Sequence, residues 1–166
     1  GKDGSVYDLV LSQLPTTVNA FRALGVESET SHLAFEPSIL DALPEPPALD
    51  IDVSFVGSVS ADHRDRIALL EAVAERHDLK MLGNLPRSLP DSSPLRRCLQ
   101  GEVWGADMYQ VLRRSRITLD SHLDLAGREA GTVRLLEATG AGAFLLTAFT
   151  DNRVPCSRPH LRAAVG

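Results

Sequence analysis

The stretch from Arg128 to Thr147 constrains the fold more than any other part of the chain. Glu129 and Glu137, separated by seven residues, frame a Gly131-Thr132 turn and a helix-forming run that leaves through Gly140-Ala-Gly142 straight into the apolar Ala143-Phe-Leu-Leu-Thr147. A polar turn, about two helical turns and a glycine-rich exit into a buried strand describe one αβ unit with an open helix N-terminus. The unpaired N–H groups at such an end attract anions.

The rest of the chain alternates in the same way. Val6 to Leu11 reads as a strand, and Thr16 to Leu24 as a helix with Val18, Phe21 and Leu24 at helical spacing before Gly25. Ser31 to Phe35 reads as a further strand and Pro37 to Leu43 as a short helix. Pro44-Glu-Pro-Pro47 then breaks all regularity, so a boundary is expected there, with residues 1–49 ending one unit and 50–166 forming a second domain. Ile51 to Val56 is a buried-type strand closing on Gly57-Ser58. Asp62 to His77 is a helix with Ile67, Leu70 and Ala74 inward, Asp62 as N-cap and Asp65 giving a capping-box pattern. Lys80 to Leu82 is the next strand. Asn84 to Gly101 is a long proline- and serine-bearing segment of the kind that carries function, with Trp104 expected beneath it. Helices at Ala106–Arg114 and Thr132–Thr139 and strands at Ile117–Leu119 and Ala143–Thr147 follow, and the tail from Asp151 is expected to start one more helix. In the later helix Val133, Leu136 and Gly140 form the packing stripe, with Glu137 beside it.

This order predicts an α/β fold, a Rossmann-like parallel sheet with helices on both faces and right-handed crossovers. Sites in such sheets lie at the carboxyl ends of the strands. Gly57-Ser58, Asp120-Ser-His122, the Glu129 turn and Thr147 should therefore meet along one edge.

Composition removes several function classes. A formal net charge of -5 disfavours bulk nucleic-acid binding and anionic membranes, while leaving room for a local basic pocket. The longest apolar runs fall far short of the roughly 18 residues that span a bilayer, and no leader is read at the start, so no transmembrane segment and a cytoplasmic location are expected. Cys98 and Cys156 have neither disulfide nor zinc spacing and are read as free thiols. Asp50-Ile-Asp52 opens a strand instead of closing one, which makes its metal-motif appearance chance. Asp120-Ser-His122-Leu-Asp124 fits a polar pocket better than a metal site, and no metal is expected. His32, His77 and His160 carry no motif. No Gly-x-Gly-x-x-Gly or Walker loop is present, which disfavours dehydrogenases and P-loop ATPases.

Cations crowd two helix starts. His63, Arg64 and Arg66 lie where the macrodipole disfavours them by about 0.3–1 kcal/mol each, and Arg128 and Arg134 flank the second start. One reading is a phosphate held by helix amides and Arg64. The other is a solvated face neutralised by Asp62 and Asp65, and the two stand level. Glu129 and Glu137 can each accept paired hydrogen bonds from a vicinal diol, or simply lie on a solvated helical face.

At these residues the chain resembles a known family. Glu129, Glu137, Ala138 and Gly142 match the donor-site signature of group-one glycosyltransferases with the GT-B fold. Phe55-Val-Gly-Ser58 with His63-Arg64, Ile117-Thr-Leu-Asp-Ser-His122 and Arg134-Leu-Leu-Glu-Ala138 resemble the spore-maturation-type branch, over about Asp50 to Thr150. The resemblance implies a C-terminal donor-binding domain that takes a nucleotide-diphosphate sugar as substrate, without a cofactor or metal, for retaining transfer to an unknown acceptor. It gives Glu137 the ribose hydroxyls, and sets Glu129 with Gly131, Thr132 and Val133 against the sugar and diphosphate. Gly57, Ser58 and Arg64 would face the diphosphate, with Arg134 beside them and His122 near the substrate. Glu129, Arg64 and His122 are then the catalytic candidates. The usual Phe-Gly after the first glutamate is replaced by Ala130-Gly131-Thr132, and a phosphate-binding lysine has no counterpart. Residues 1 to about 43 resemble the last βα unit of the acceptor half, which implies a partner in the remaining half of a longer enzyme and little turnover alone. The alternative is a non-catalytic Rossmann-like module that binds a nucleotide, or a protein through residues 84–101. A sugar-nucleotide epimerase on the same fold stands between them.

Overall fold

A computed structural model describes residues 6–45, 48–121 and 133–147. Four parallel strands, β3 (Ile51–Val56), β4 (Leu79–Leu82), β5 (Ser115–Asp120) and β6 (Phe144–Thr147), form a sheet in the order β4-β3-β5-β6. The centre is β3, where every residue except Asp52 is buried, as a continuous apolar run covered on both faces demands. Ser54 and Thr118 are the polar exceptions in the middle of the sheet. They stand opposite each other in register and share a 3.0 Å hydrogen bond, so neither hydroxyl is left unsatisfied.

Helices cover both faces. On one, α3 (Arg64–Ala74) and the single turn α4 (Leu95–Cys98) place Leu70 and Leu95 against Val53, Phe55, Leu79, Met81 and Leu119. On the other, α5 (Gly105–Arg114) and α6 (Val133–Gly140) place Met108, Val111, Leu112 and Ala138 against Val56 and Leu82. The protein is thus an α/β fold with parallel sheets flanked by helices, Rossmann-like as the alternation predicts.

The N-terminal residues form a separate two-stranded parallel sheet of β1 (Val10–Ser12) and β2 (Ser28–Thr30), linked by α1 (Pro15–Ala23), followed by the short α2 (Ser38–Asp41). Phe35 ties this part to the main sheet. Its ring packs edge-on to Tyr109, centroids 6.0 Å apart, and fills the space where a Cβ on Gly140 would stand. The Pro44 carbonyl accepts from Arg113 at 3.0 Å.

Several local expectations are corrected. The strand expected at 31–35 is at Ser28–Thr30, where Ser31 donates to the Ser12 carbonyl at the end of β1. Asp62 does not cap α3, because the helix starts at Arg64 with His63 as N-cap and no side-chain cap bond. In α6 the fully buried residue is Ala138 and Val133 is exposed, so of the expected stripe only Leu136 and Gly140 are partly buried. Residues 84–101 are not wholly irregular, since they include α4 and a parallel bridge from Met81 to Leu99. Trp104 is 73% exposed and does not pack beneath that segment. The tail expected to start a helix at Asp151 lies outside the described residues.

Candidate active site

A cleft of about 210 Å³ opens at the carboxyl ends of β3 and β4, where α/β sheets place their ligands. Val56, Gly57 and Ser58 leave β3 on one side, Leu82 and Gly83 leave β4 on the other, Glu102 to Trp104 form the rim, and Arg134 enters from α6. The floor is main chain. Gly57 N–H donates to the Leu82 carbonyl at 2.9 Å and Gly83 N–H to the Gly101 carbonyl at 2.8 Å. Gly83 has a φ of 152°, and a Cβ there would meet the Gly57 carbonyl oxygen, so only glycine lets the two strand exits approach this closely.

The donors facing the cleft are few. Gly57 has spent its N–H on the sheet, but the amide and hydroxyl of Ser58 donate to nothing among the described residues. Arg134 is the one basic residue of the lining. Its NH1 pairs with Glu137 Oε2 at 2.8 Å, one helical turn away, and lies 2.7 Å from the Met108 sulfur, while its Nε is buried away from the cleft with no hydrogen-bond partner among the described residues. Tyr109 donates to the other carboxylate oxygen, Oε1, at 3.3 Å. Burial, then the neighbouring Glu137 charge, holds the Tyr109 phenol above its ordinary pKa. Glu137 therefore has both oxygens engaged and meets the cleft through Arg134.

Arg64 and Arg66 separate clearly. Arg64 is exposed at the first position of α3 and is absent from the cleft lining. Arg66 is 9% exposed and donates to the Ser58 carbonyl at 3.0 Å and to the Ser121 carbonyl, with its guanidinium 5.7 Å from the Phe55 ring centre. It thereby joins the exits of β3 and β5 from beneath the site. His63 Nδ1 accepts from Ser60 N–H at 2.8 Å, which leaves the ring proton on Nε2. The 3.4 Å approach of Arg66 to that nitrogen is then packing between two donors.

Of the residues expected from sequence, Gly57, Ser58 and Arg134 meet in the cleft, and Glu137 stands directly behind. Val133 is exposed at the start of α6. His122, Glu129, Gly131 and Thr132 lie outside the described residues. Asp120 and Thr147 end adjacent strands in register, as the shared-edge argument requires. Asp50 pairs with Arg114 at the end of α5, and Asp52 with Arg116 of the neighbouring strand β5. Sequence reasoning missed Gly83, Glu102 and Trp104 as cleft residues. The available signal was the pair Gly101 and Gly105, both at positive φ in the structure, which bracket Glu102-Val-Trp104 as an irregular segment.

A family model described as glycosyl transferase-like matches residues 64–153, more than half of the chain. The chain belongs to that glycosyl transferase-like family. The match takes in α3, the rim at Glu102 and Trp104, and the Arg134–Glu137 pair. Membership supports glycosyl transfer as the general chemistry, with binding of a sugar donor and an acceptor. A comparison with curated proteins gives no match. Among the described residues, no helix is long and apolar enough to cross a membrane.

Proposed function

We propose that this chain is the donor-binding portion of a metal-independent glycosyltransferase that uses a nucleotide-diphosphate sugar. The observation that carries the reading is the cleft itself. It sets the open Ser58 donors and the Arg134 guanidinium at the carboxyl ends of parallel strands, in a chain of glycosyl transferase-like family. A diphosphate seated there accepts from the Ser58 amide and hydroxyl and pairs with Arg134, the geometry a guanidinium favours. As the bond from the anomeric carbon to the diphosphate oxygen breaks, negative charge grows on that oxygen. The Ser58 donors and the Arg134 charge stabilise it there.

In this reading Arg134 turns from Glu137 toward the diphosphate, which frees Glu137 for the ribose hydroxyls while Tyr109 keeps its hold on the other oxygen. Arg64 adds long-range attraction from the exposed start of α3. Glu129, Gly131, Thr132 and His122 are assigned to the sugar side. The acceptor site belongs to the other half of a GT-B arrangement, of which residues 1–49 are the end, and transfer with retention and a cytoplasmic setting complete the proposal.

Calorimetric titration of the 166-residue chain with nucleoside diphosphates and their sugar conjugates tests it. Saturable binding is expected, weakened about tenfold or more by Arg134→Ala and by Glu137→Gln. Binding indifferent to both substitutions, or none at all, would remove the donor site and leave a module that recognises something else.

A further inference from the structure

The cleft has a rim whose chemistry the diphosphate does not use. Trp104, the only tryptophan in the chain, lies 73% exposed in extended backbone (φ -141°, ψ 161°) just before α5. Trp104 stands apart from the helical face that buries Met108, Val111 and Leu112, and it is among the residues that line the cleft. Two residues earlier Glu102 lines the same rim. Asn84 Nδ2 donates to Glu102 Oε1 at 3.0 Å, which orients the carboxylate, and Oε2 has no partner among the described residues.

We infer that Trp104 and Glu102 form a nucleobase subsite selective for guanine. This rests on the donor-binding reading above and names the base that the reading leaves open. An exposed indole offers a flat face on which any base stacks, so Trp104 supplies affinity without choice. The choice comes from Glu102, because an ionised carboxylate only accepts hydrogen bonds. Guanine presents two adjacent donors on one edge, N1–H and the N2 amino group, matching the two oxygens of a carboxylate. Uracil and thymine present a single N–H flanked by two carbonyl oxygens, which a carboxylate repels. Adenine and cytosine set an acceptor nitrogen beside their amino group, so one carboxylate oxygen faces a lone pair. Asn84 is a positioning residue here, holding Glu102 in the rim.

The lone tryptophan makes the test direct, since stacking of a base changes the emission of Trp104 itself. The 166-residue chain is titrated with GDP, UDP, ADP and CDP by fluorescence and calorimetry in parallel. GDP is expected to quench the emission on binding and to bind on the order of 10-fold tighter than UDP, the discrimination one such base contact gives. Glu102→Gln should bring the GDP to UDP ratio close to one, by weakening GDP and by relieving the repulsion of the uracil carbonyls, and Asn84→Ala should lower the ratio part-way. Trp104→Ala should weaken all four nucleotides about equally, which a role confined to folding would not do in a variant with an unchanged unfolding midpoint. Preference for UDP, ADP or CDP, a ratio indifferent to Glu102→Gln, or binding without any change in emission would overturn the guanine subsite alone. Failure of every nucleotide to bind would overturn the donor reading and the subsite together.

Discussion

The starts of α3 and α6 look alike in sequence, each a short polar lead into a helix with arginine in or near its first turn, yet the protein uses them differently. At α3 the buried cation is Arg66, whose guanidinium is taken up by the protein's own carbonyls at Ser58 and Ser121 and by the Phe55 ring. At α6 the cation is Arg134, which lines the cleft and holds Glu137 across one turn. One arginine fixes the strand exits that shape the site, and the other lines the cleft where the proposed diphosphate would sit. A cation at a helix start is thus tied into the fold where main-chain oxygens surround it, and left at the cleft wall where only side chains do.

Exchanging the two roles by mutation gives the largest expected effect. Arg66→Ala strips the donors from two main-chain carbonyls beneath the site, and each abandoned buried group costs about 1–3 kcal/mol. A total loss near 3 kcal/mol or more is expected, read as a lower urea midpoint. Arg134→Ala breaks one pair whose side chains are both under one-fifth exposed and should cost about 1–2 kcal/mol, while its larger damage appears in nucleotide affinity. Comparable destabilisation by both would erase the distinction.

The far end of α6 gives the next test. Phe35 occupies the Cβ position of Gly140, so Gly140→Ala forces the ring out or shifts the helix, at about 1–3 kcal/mol. Phe35→Ala in the same chain should absorb most of that strain, leaving the double variant closer to Phe35→Ala than the sum of the two. Additive unfolding energies would show that the ring and the glycine do not compete for the same space.

These contrasts also show how much the sequence could disclose. β3 was legible to its exact ends because a run buried on both faces has no polar interruption longer than one residue. Its neighbours β4 and β5 shifted by only one or two residues, for the same reason, and β6 by one residue through its apolar run, although Phe144 and Leu146 are half exposed. β2 was not legible, because Ser28-Glu-Thr30 carries no apolar pattern and pairs only through its main chain with β1. Arg66 could have been told from Arg64: it precedes the fully buried Leu70 by four residues, and that spacing puts it on the inward face. Glu102 and Trp104 offered only the flanking Gly101 and Gly105, which mark a turn but not a cleft, since their partners Asn84 and the exits of β3 and β4 are brought near only by the sheet.

Tyr109 sharpens the α6 side of the comparison through pH. Its phenol is held above the ordinary value by burial and by Glu137, so the protonated hydroxyl is the form the fold favours. A group with a raised folded pKa contributes stability below its unfolded pKa, near 10 for tyrosine, and loses it as pH rises through the higher folded value. Tyr109→Phe should therefore cost about 1 kcal/mol at neutral pH and flatten the decline in melting temperature above about pH 10. An unchanged alkaline slope would mean that the Tyr109 hydrogen bond to Glu137 contributes little.

The smallest effect is expected at Arg64, and it bears most directly on the contrast between the two helix starts. Arg64 is exposed, lines no part of the cleft, and so acts on an anion only through solvent. Charges separated by more than about 8–10 Å of electrolyte are largely screened at physiological salt. Arg64→Ala should accordingly weaken nucleoside diphosphate binding only a few-fold, and the loss should shrink further as salt is raised from about 0.05 to 0.5 M. Arg134→Ala, removing a cation in contact with the cleft, should retain most of its loss over the same range. A salt-resistant tenfold loss at Arg64 would mean that its side chain swings in to contact the diphosphate, and that both helix starts contribute a cation to the site.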